Sequence, residues 1–252
     1  MTNENIFEQA KDLAEKIRRS LKLGNAPIKD IFNLLEDQGI FVVRMPINGD
    51  GLDGAFYYDK KNKNAKILIN SNRSKGKQIF TAAHEFCHYL IDKEEQIILE
   101  YAEQEKSPRE KRADAFAAHF LLPEEGVRFY TQNILKKTKK LDDDDLVKIQ
   151  NEFKTSWTAL IYRLNNLGYI FDGGLKTKLG EISSLNFKAA QSGFESESSV
   201  HDGKYEFPSS FYRAAFSAYF EGKITLNRLS DILRQSQEDT KELVAKIKIA
   251  NE

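Results

Sequence analysis

His84-Glu85-Phe86-Cys87-His88, inside the run Phe80-Thr81-Ala82-Ala83-His84-Glu85-Phe86-Cys87-His88-Tyr89-Leu90, decides how the rest of the chain is read. In a helix, residues four apart lie on one face, about 40° apart around the axis. His84 and His88 therefore offer two imidazoles to one point in space. Glu85 sits beside that face, within reach of a water held there. This is the H-E-x-x-H arrangement of two zinc ligands and a general base. In that chemistry the ion polarises a carbonyl and acidifies water while the carboxylate takes the proton. Three specified positions also arise by chance on exposed helices, so the motif needs a third ligand before it carries weight.

The flanking residues place the helix. Ile79, Phe80, Ala83, Cys87, Leu90 and Ile91 form an apolar stripe next to the histidine face. The histidines are thus expected at the edge of a core, facing a cleft. Cys87 projects towards the stripe and is read as a small core residue rather than a soft ligand. A catalytic zinc takes three protein ligands and keeps one position open. Glu110 and Asp114, four apart on a second predicted helix, are the candidates. Glu110 would complete a His-His-Glu set, with Asp114 one turn on, bonding a ligand histidine from behind. A competing role exists for Glu110: Ser107-Pro108-Arg109-Glu110 fits a capping box with proline at the first helical position. In that case Asp114 is the next ligand candidate. His119 points away from Glu110 and is expected at the surface, and His201 has no spacing argument.

Outward from this helix the chain alternates between helical and strand patterns. Residues 5–24 repeat Ile6, Ala10, Leu13, Ala14, Ile17 and Leu21 at helical spacing, and Pro27 opens a second short helix. Residues 40–43 form a β-branched strand. Residues 54–59 and 66–70 form two antiparallel strands joined by the polar turn 60–64. The motif helix runs over 77–91, followed by a charged, partly helical segment up to residue 106 and a helix from 107 to 123. Lys136-Lys137-Thr138-Lys139-Lys140 and Leu141-Asp142-Asp143-Asp144-Asp145 mark a solvated boundary, its aspartates favouring a helix N-terminus. Helical patterns follow at 145–153 and 156–166. Gly173-Gly174 and residues 191–204 read as loops, and a helical section runs from residue 208 to the end. The expected organisation is a catalytic unit over 1–135, a helix-turn-helix-like segment over 141–172, and a mainly helical region over 173–252.

Composition narrows the classes. Lys plus Arg and Asp plus Glu both number 38 among 252 residues, so the net charge is zero. A nucleic-acid binder carries a basic excess, which is absent here. The single cysteine excludes an internal disulfide framework and a multi-thiolate zinc site. No apolar run is long enough to span a membrane and no signal peptide is legible at the start, so a cytoplasmic location is expected.

Four segments, taken in order, resemble the ImmA/IrrE family of bacterial metallopeptidases. They are Ala26-Pro27-Ile28-Lys29-Asp30-Ile31 with Leu34-Leu35 and Gly39-Ile40; the Gly54 strand with Ile67-Leu68-Ile69-Asn70; the motif helix; and Glu110-Lys111-Arg112-Ala113-Asp114-Ala115-Phe116-Ala117-Ala118 closing with Leu121-Leu122-Pro123. The resemblance implies an α+β fold with a minimal, gluzincin-like zincin core: a small antiparallel sheet and the H-E-x-x-H helix, followed by a helical helix-turn-helix-like region. It implies zinc held by His84, His88 and Glu110, with Glu85 as base, and so favours Glu110 as ligand over cap. Cys87 departs from the glycine common in the family.

Family members are known or inferred to cut helix-turn-helix repressors, which makes a repressor the expected protein substrate and derepression of mobile-element or stress genes the expected outcome. Residues 146–170 also resemble the family's downstream helix-turn-helix-like segment. Its charges nearly cancel, so it reads as a packing or partner-recognition module, and direct DNA binding is not expected. The competing functional reading is a DNA-binding or sensor regulator that uses the zincin fold as a scaffold.

Overall fold

The computed structural model describes residues 3–49, 51–101, 107–136, 140–170, 173–194 and 203–249. The chain opens with α1 (Asn3–Ser20) and α2 (Ile31–Asp37), then β1 (Ile40–Met45), β2 (Leu52–Asp59) and β3 (Asn64–Asn70). The motif helix α3 (Lys75–Ile91) follows, then β4 (Ile97–Tyr101), α4 (Pro108–Leu121) and α5 (Glu124–Leu135). The remainder is helical: α6 (Asp143–Phe153), α7 (Trp157–Asn166), α8 (Gly174–Gly180), α9 (Ile182–Gln191), α10 (Ser209–Phe220), α11 (Leu226–Leu233) and α12 (Gln237–Ile249).

The α+β class is as expected, but the sheet is mixed rather than antiparallel. Its order is β1-β3-β2-β4, with β1 parallel to β3 and β2 antiparallel to both β3 and β4. The predicted hairpin of β2 and β3 is present. The parallel β1–β3 pairing arises because β2 leaves β1 without pairing to it and returns through β3. The segment expected to be charged and partly helical contains β4. Ile97 and Leu99 are exposed while Ile98 and Glu100 are buried, so its period of two is hidden by apolar residues on both faces. Residues 102–106 of that segment lie outside the described residues, as do 137–139 of the expected boundary, 195–202 of the expected loop, and His201.

One sheet face packs on the helices. Ile40, Val42, Phe56, Ile67, Ile69 and Ile98 are buried there against α3, with α4 behind it and α1 behind α4. Phe86 of α3 meets Phe116 and Phe120 of α4 at ring-centroid distances of 6.1 and 5.6 Å, and the latter two stack at 5.2 Å. These rings set the spacing of the two helices that carry the predicted ligands. The other sheet face, with Phe41, Val43, Met45, Tyr57 and Leu68, lines an open groove of about 520 Å³.

The α6–α7 pair forms as a tight helix-turn-helix. Asp142 and Asp145 complete a capping box at its start, and Lys154 turns the chain with φ of 51°. Leu146, Ile149, Phe153, Leu160, Ile161 and Leu164 are buried in the same core as α3 and α4. Contact with α3 is close: a Cβ on Gly76 would lie 2.7 Å from Ser156 N and 2.8 Å from its Cα. Helices α8 and α9 fill a stretch for which no individual helix was expected, with Gly174 opening α8 rather than lying in a loop, and they cover α6 and α7. Helices α10–α12 make a second small core around Phe216, Leu229 and Leu233. It is tied to β1 by the backbone pair Arg44–Glu206 and by Phe41 against Phe211 at 6.2 Å. Among the described residues no helix is long and apolar enough to cross a membrane.

Gly76→Ala is therefore expected to destabilise the protein by about 1–3 kcal/mol, because the obstructing atoms are backbone and cannot rotate away. A lowered urea midpoint measures this. An unchanged midpoint would show that the α3–α7 contact is looser than a 2.7 Å approach to Ser156 N implies.

Candidate metal centre

Helix α3 starts at Ser74, whose hydroxyl accepts from Lys77 N, and runs through the motif with His84, Glu85 and His88 all fully buried. The i, i+4 spacing brings the two Nε2 atoms to 3.1 Å. Glu110, in the first turn of α4, places Oε2 at 2.9 Å from His84 Nε2 and 3.6 Å from His88 Nε2. Two donors on a tetrahedral ion with bonds of about 2.0–2.1 Å lie about 3.3 Å apart. The observed separations bracket that value, so the donor set fits a small tetrahedral cation.

The capping alternative resolves into a division of labour. Ser107 Oγ accepts from Glu110 N at 3.3 Å, forming half of the box. The Glu110 side chain turns to the histidines rather than back to the cap.

Each imidazole is held from behind. His84 Nδ1 donates to Asp114 Oδ1 at 2.9 Å, and His88 Nδ1 donates to Asp92 Oδ2 at 2.8 Å. A carboxylate can only accept here, so both rings turn Nε2 towards Glu110. Arg112 Nη2 donates to Asp92 Oδ1 at 2.8 Å and fixes that carboxylate in turn. Asp92 was missed from sequence although a signal existed: it stands four residues after His88, the spacing that links the histidines themselves.

A second group also clusters, His84 with Glu100 and Asp114. Glu100 is 3 % exposed, with Oε1 at 3.9 Å from His84 Nδ1. Lys77 Nζ lies 3.4 Å from that same oxygen and 2.9 Å from buried Asp53, which Arg73 also holds at 2.7 Å. An ammonium in this position repels a second cation, so the His84, His88 and Glu110 group is the better metal site. No sequence signal pointed to Glu100, since its strand was not predicted.

Glu85 is the unusual residue. Both carboxylate oxygens are buried and have no hydrogen-bond partner among the described residues. Burial pushes its carboxyl up to about 8. Gly54 on β2 makes room for it: a Cβ there would lie 2.9 Å from Glu85 Oε1 and 2.4 Å from Thr81 Cγ2. An orphaned buried carboxylate beside three converged donors fits a site built around a cation and its water.

The remaining candidates fall away from the centre. Cys87 is fully buried, and burial pushes its thiol up to about 12, in keeping with a core role. His119, expected at the surface, is half-buried; burial, then Arg163 and Lys11, hold it down to about 4.

A paired histidine helix, a carboxylate from the next helix and a buried glutamate at their side, on a small sheet, define a metal-dependent hydrolase of the H-E-x-x-H class. Within that class, the peptidase M78 model, described as the IrrE N-terminal-like domain, matches residues 35–165. The match covers just over half of the 252 residues and runs from α2 into α7. The chain belongs to this family, and the matched region is a metallopeptidase domain. No curated protein matches the chain.

The electrostatics predict how metal and protons compete. Burial pulls His84 down, but Glu100 and the hydrogen bonds to Asp114 and Glu110 outweigh it and raise the ring to about 10 from 6.5. A raised folded value means that the associated stability is complete below pH 6.5 and is lost as pH rises towards 10. Raised Glu85 acts in the same direction. Metal-free protein is thus expected to lose stability across that interval. Loading with Zn²⁺ at pH 7 is expected to release at least about one proton per ion. Calorimetry in buffers of different ionisation enthalpy measures the release, and no release would contradict this charge arrangement.

Proposed function

We propose that the protein is a zinc-dependent endopeptidase acting in the cytoplasm on a protein substrate, with a helix-turn-helix repressor as the expected target. The observation that carries this reading is Glu85, a buried carboxylate with two unsatisfied oxygens next to the donors of His84, His88 and Glu110. In this reading those three side chains hold the ion, and Asp114 and Asp92 orient the two rings. The ion, when bound, polarises a peptide carbonyl and acidifies water.

Glu85 then accepts the proton of the attacking water at one carboxylate oxygen and passes it to the leaving amine. Its position supports both transfers, because no hydrogen-bond donor among the described residues competes for either oxygen. Burial raises its proton affinity while a neighbouring cation favours the carboxylate, and these opposing effects suit a group that must both take and return a proton.

The sheet limits how a peptide can lie. Strand β3, although beside the motif helix, is paired on both sides by β1 and β2 and offers no edge. Among the described residues β4 is the edge next to β2, and it carries Glu100 beside His84. We assign the extended substrate segment to that edge, along which no other described strand pairs.

The repressor assignment rests on the family resemblance. The surface of α7 supports a protein-facing rather than a DNA-facing role. Its exposed residues Thr158, Tyr162 and Asn166 are uncharged, and its one basic residue, Arg163, is buried. Phosphate contacts need exposed cations.

Glu85→Gln is expected to keep stoichiometric zinc while lowering cleavage of a repressor encoded beside the gene by about 10²–10⁴-fold. Metal analysis and a timed digestion read on gels measure the two effects. Wild-type protein that binds no zinc, or a variant that cleaves at the wild-type rate, would overturn the reading.

A further inference from the structure

Helix α7 buries a cation that no described carboxylate pairs. Arg163 is 6 % exposed, and its Nε donates to Leu122 O at 3.0 Å, closing the end of α4. Its Nη2 is buried and has no hydrogen-bond partner among the described residues. The acids whose field reaches it are engaged elsewhere: Glu124 with Arg128 at 2.8 Å and Glu15 with Arg19 at 3.7 Å. A buried charge without a partner is costly, so its retention calls for a source of counter-charge.

Arg163 lines a cavity of about 670 Å³ between α1, α3, α4 and α7. Lys77 stands in the same wall with its charge met by Asp53 and Glu100, whereas Lys111 has no ion pair with a described residue. The apolar lining comes from Phe7, Phe80 and Tyr162, with Phe7 51 % and Tyr162 47 % exposed at the rim. His119, held neutral by burial and by Arg163, adds no charge. Asp114 is the single acid in the wall, and it already accepts from His84. The volume is that of a small-molecule site, aromatic side chains form part of its wall, and Arg163 with Lys111 outweigh Asp114 to leave it positive.

We propose that this cavity binds a small organic anion with an apolar body, its acidic group drawn to Arg163 and Lys111 and its body against Phe7, Phe80 and Tyr162. Asp114 belongs both to the cavity wall and to the support of His84, so the bound anion and the metal are coupled, each changing the affinity for the other. The coupling rests on the metal-site reading above; the anion site does not.

The test uses the full chain and two fluorescent probes of similar shape, anionic anilinonaphthalene sulfonate and uncharged phenylnaphthylamine. The sulfonate is expected to bind metal-free protein saturably and about tenfold more tightly than the neutral probe. Lys111→Glu, an exposed substitution, and Arg163→Met are each expected to weaken sulfonate binding about tenfold while leaving the neutral probe within about twofold. Equal affinity for the two probes would overturn the site. So would unchanged sulfonate binding in a Lys111→Glu protein with native circular dichroism. Zinc loading is expected to change the sulfonate constant by about threefold or more. An unchanged constant in zinc-loaded protein overturns the coupling. Failure to load zinc at all overturns the metal reading instead, and the two probes still decide the anion site on metal-free protein.

Discussion

Two hydrogen bonds from the back of the imidazole pair govern the architecture. A histidine ring can turn over, and only one nitrogen of each can face a shared point. Asp114 on His84 and Asp92 on His88, at 2.9 and 2.8 Å, settle both orientations together. Because Asp114 and Glu110 sit one turn apart on α4, a single placement of that helix supplies both the support for one ring and the third donor. Phe86 packed against the stacked pair Phe116 and Phe120 fixes that placement, and Gly54 lets β2 approach closely enough to enclose Glu85. Packing here determines chemistry directly, since a shift of α4 would separate Glu110 from the histidines and Asp114 from His84 at once.

The centre is also costly. It gathers Glu85, Glu100, Glu110, Asp92 and Asp114 around two histidines in a largely buried space. In the absence of a metal ion, protons on His84 and Glu85 offset that charge, and Lys77 with Arg73 offsets Glu100 and Asp53. Such an arrangement trades stability for a strong and pH-dependent preference for a cation.

Much of this was legible because it depends on helical period. The spacing of His84 and His88, the burial of Cys87 and the shared face of Glu110 and Asp114 all follow from 3.6 residues per turn. The ambiguity between cap and ligand at Glu110 could not be settled locally: Ser107 caps the helix with its hydroxyl whichever way the Glu110 carboxylate turns, and the direction is set by α3, which is distant in sequence. Strand order was illegible for a similar reason. The β1–β3 parallel pairing and the edge position of β4 depend on contacts far apart along the chain. In β4 itself, Ile97 and Leu99 are apolar on the exposed face, which erased the alternation that reveals a strand. Asp92 required only the spacing argument to be carried one turn further.

The central claim is geometric, and anomalous diffraction at the zinc edge from crystals of zinc-loaded protein tests it most directly. The account predicts one strong peak bounded by His84 Nε2, His88 Nε2 and a Glu110 carboxylate oxygen, with Glu85 beside the fourth position. A peak on the other side of the ring, among His84 Nδ1, Glu100 and Asp114, or no peak within reach of either histidine, would contradict it.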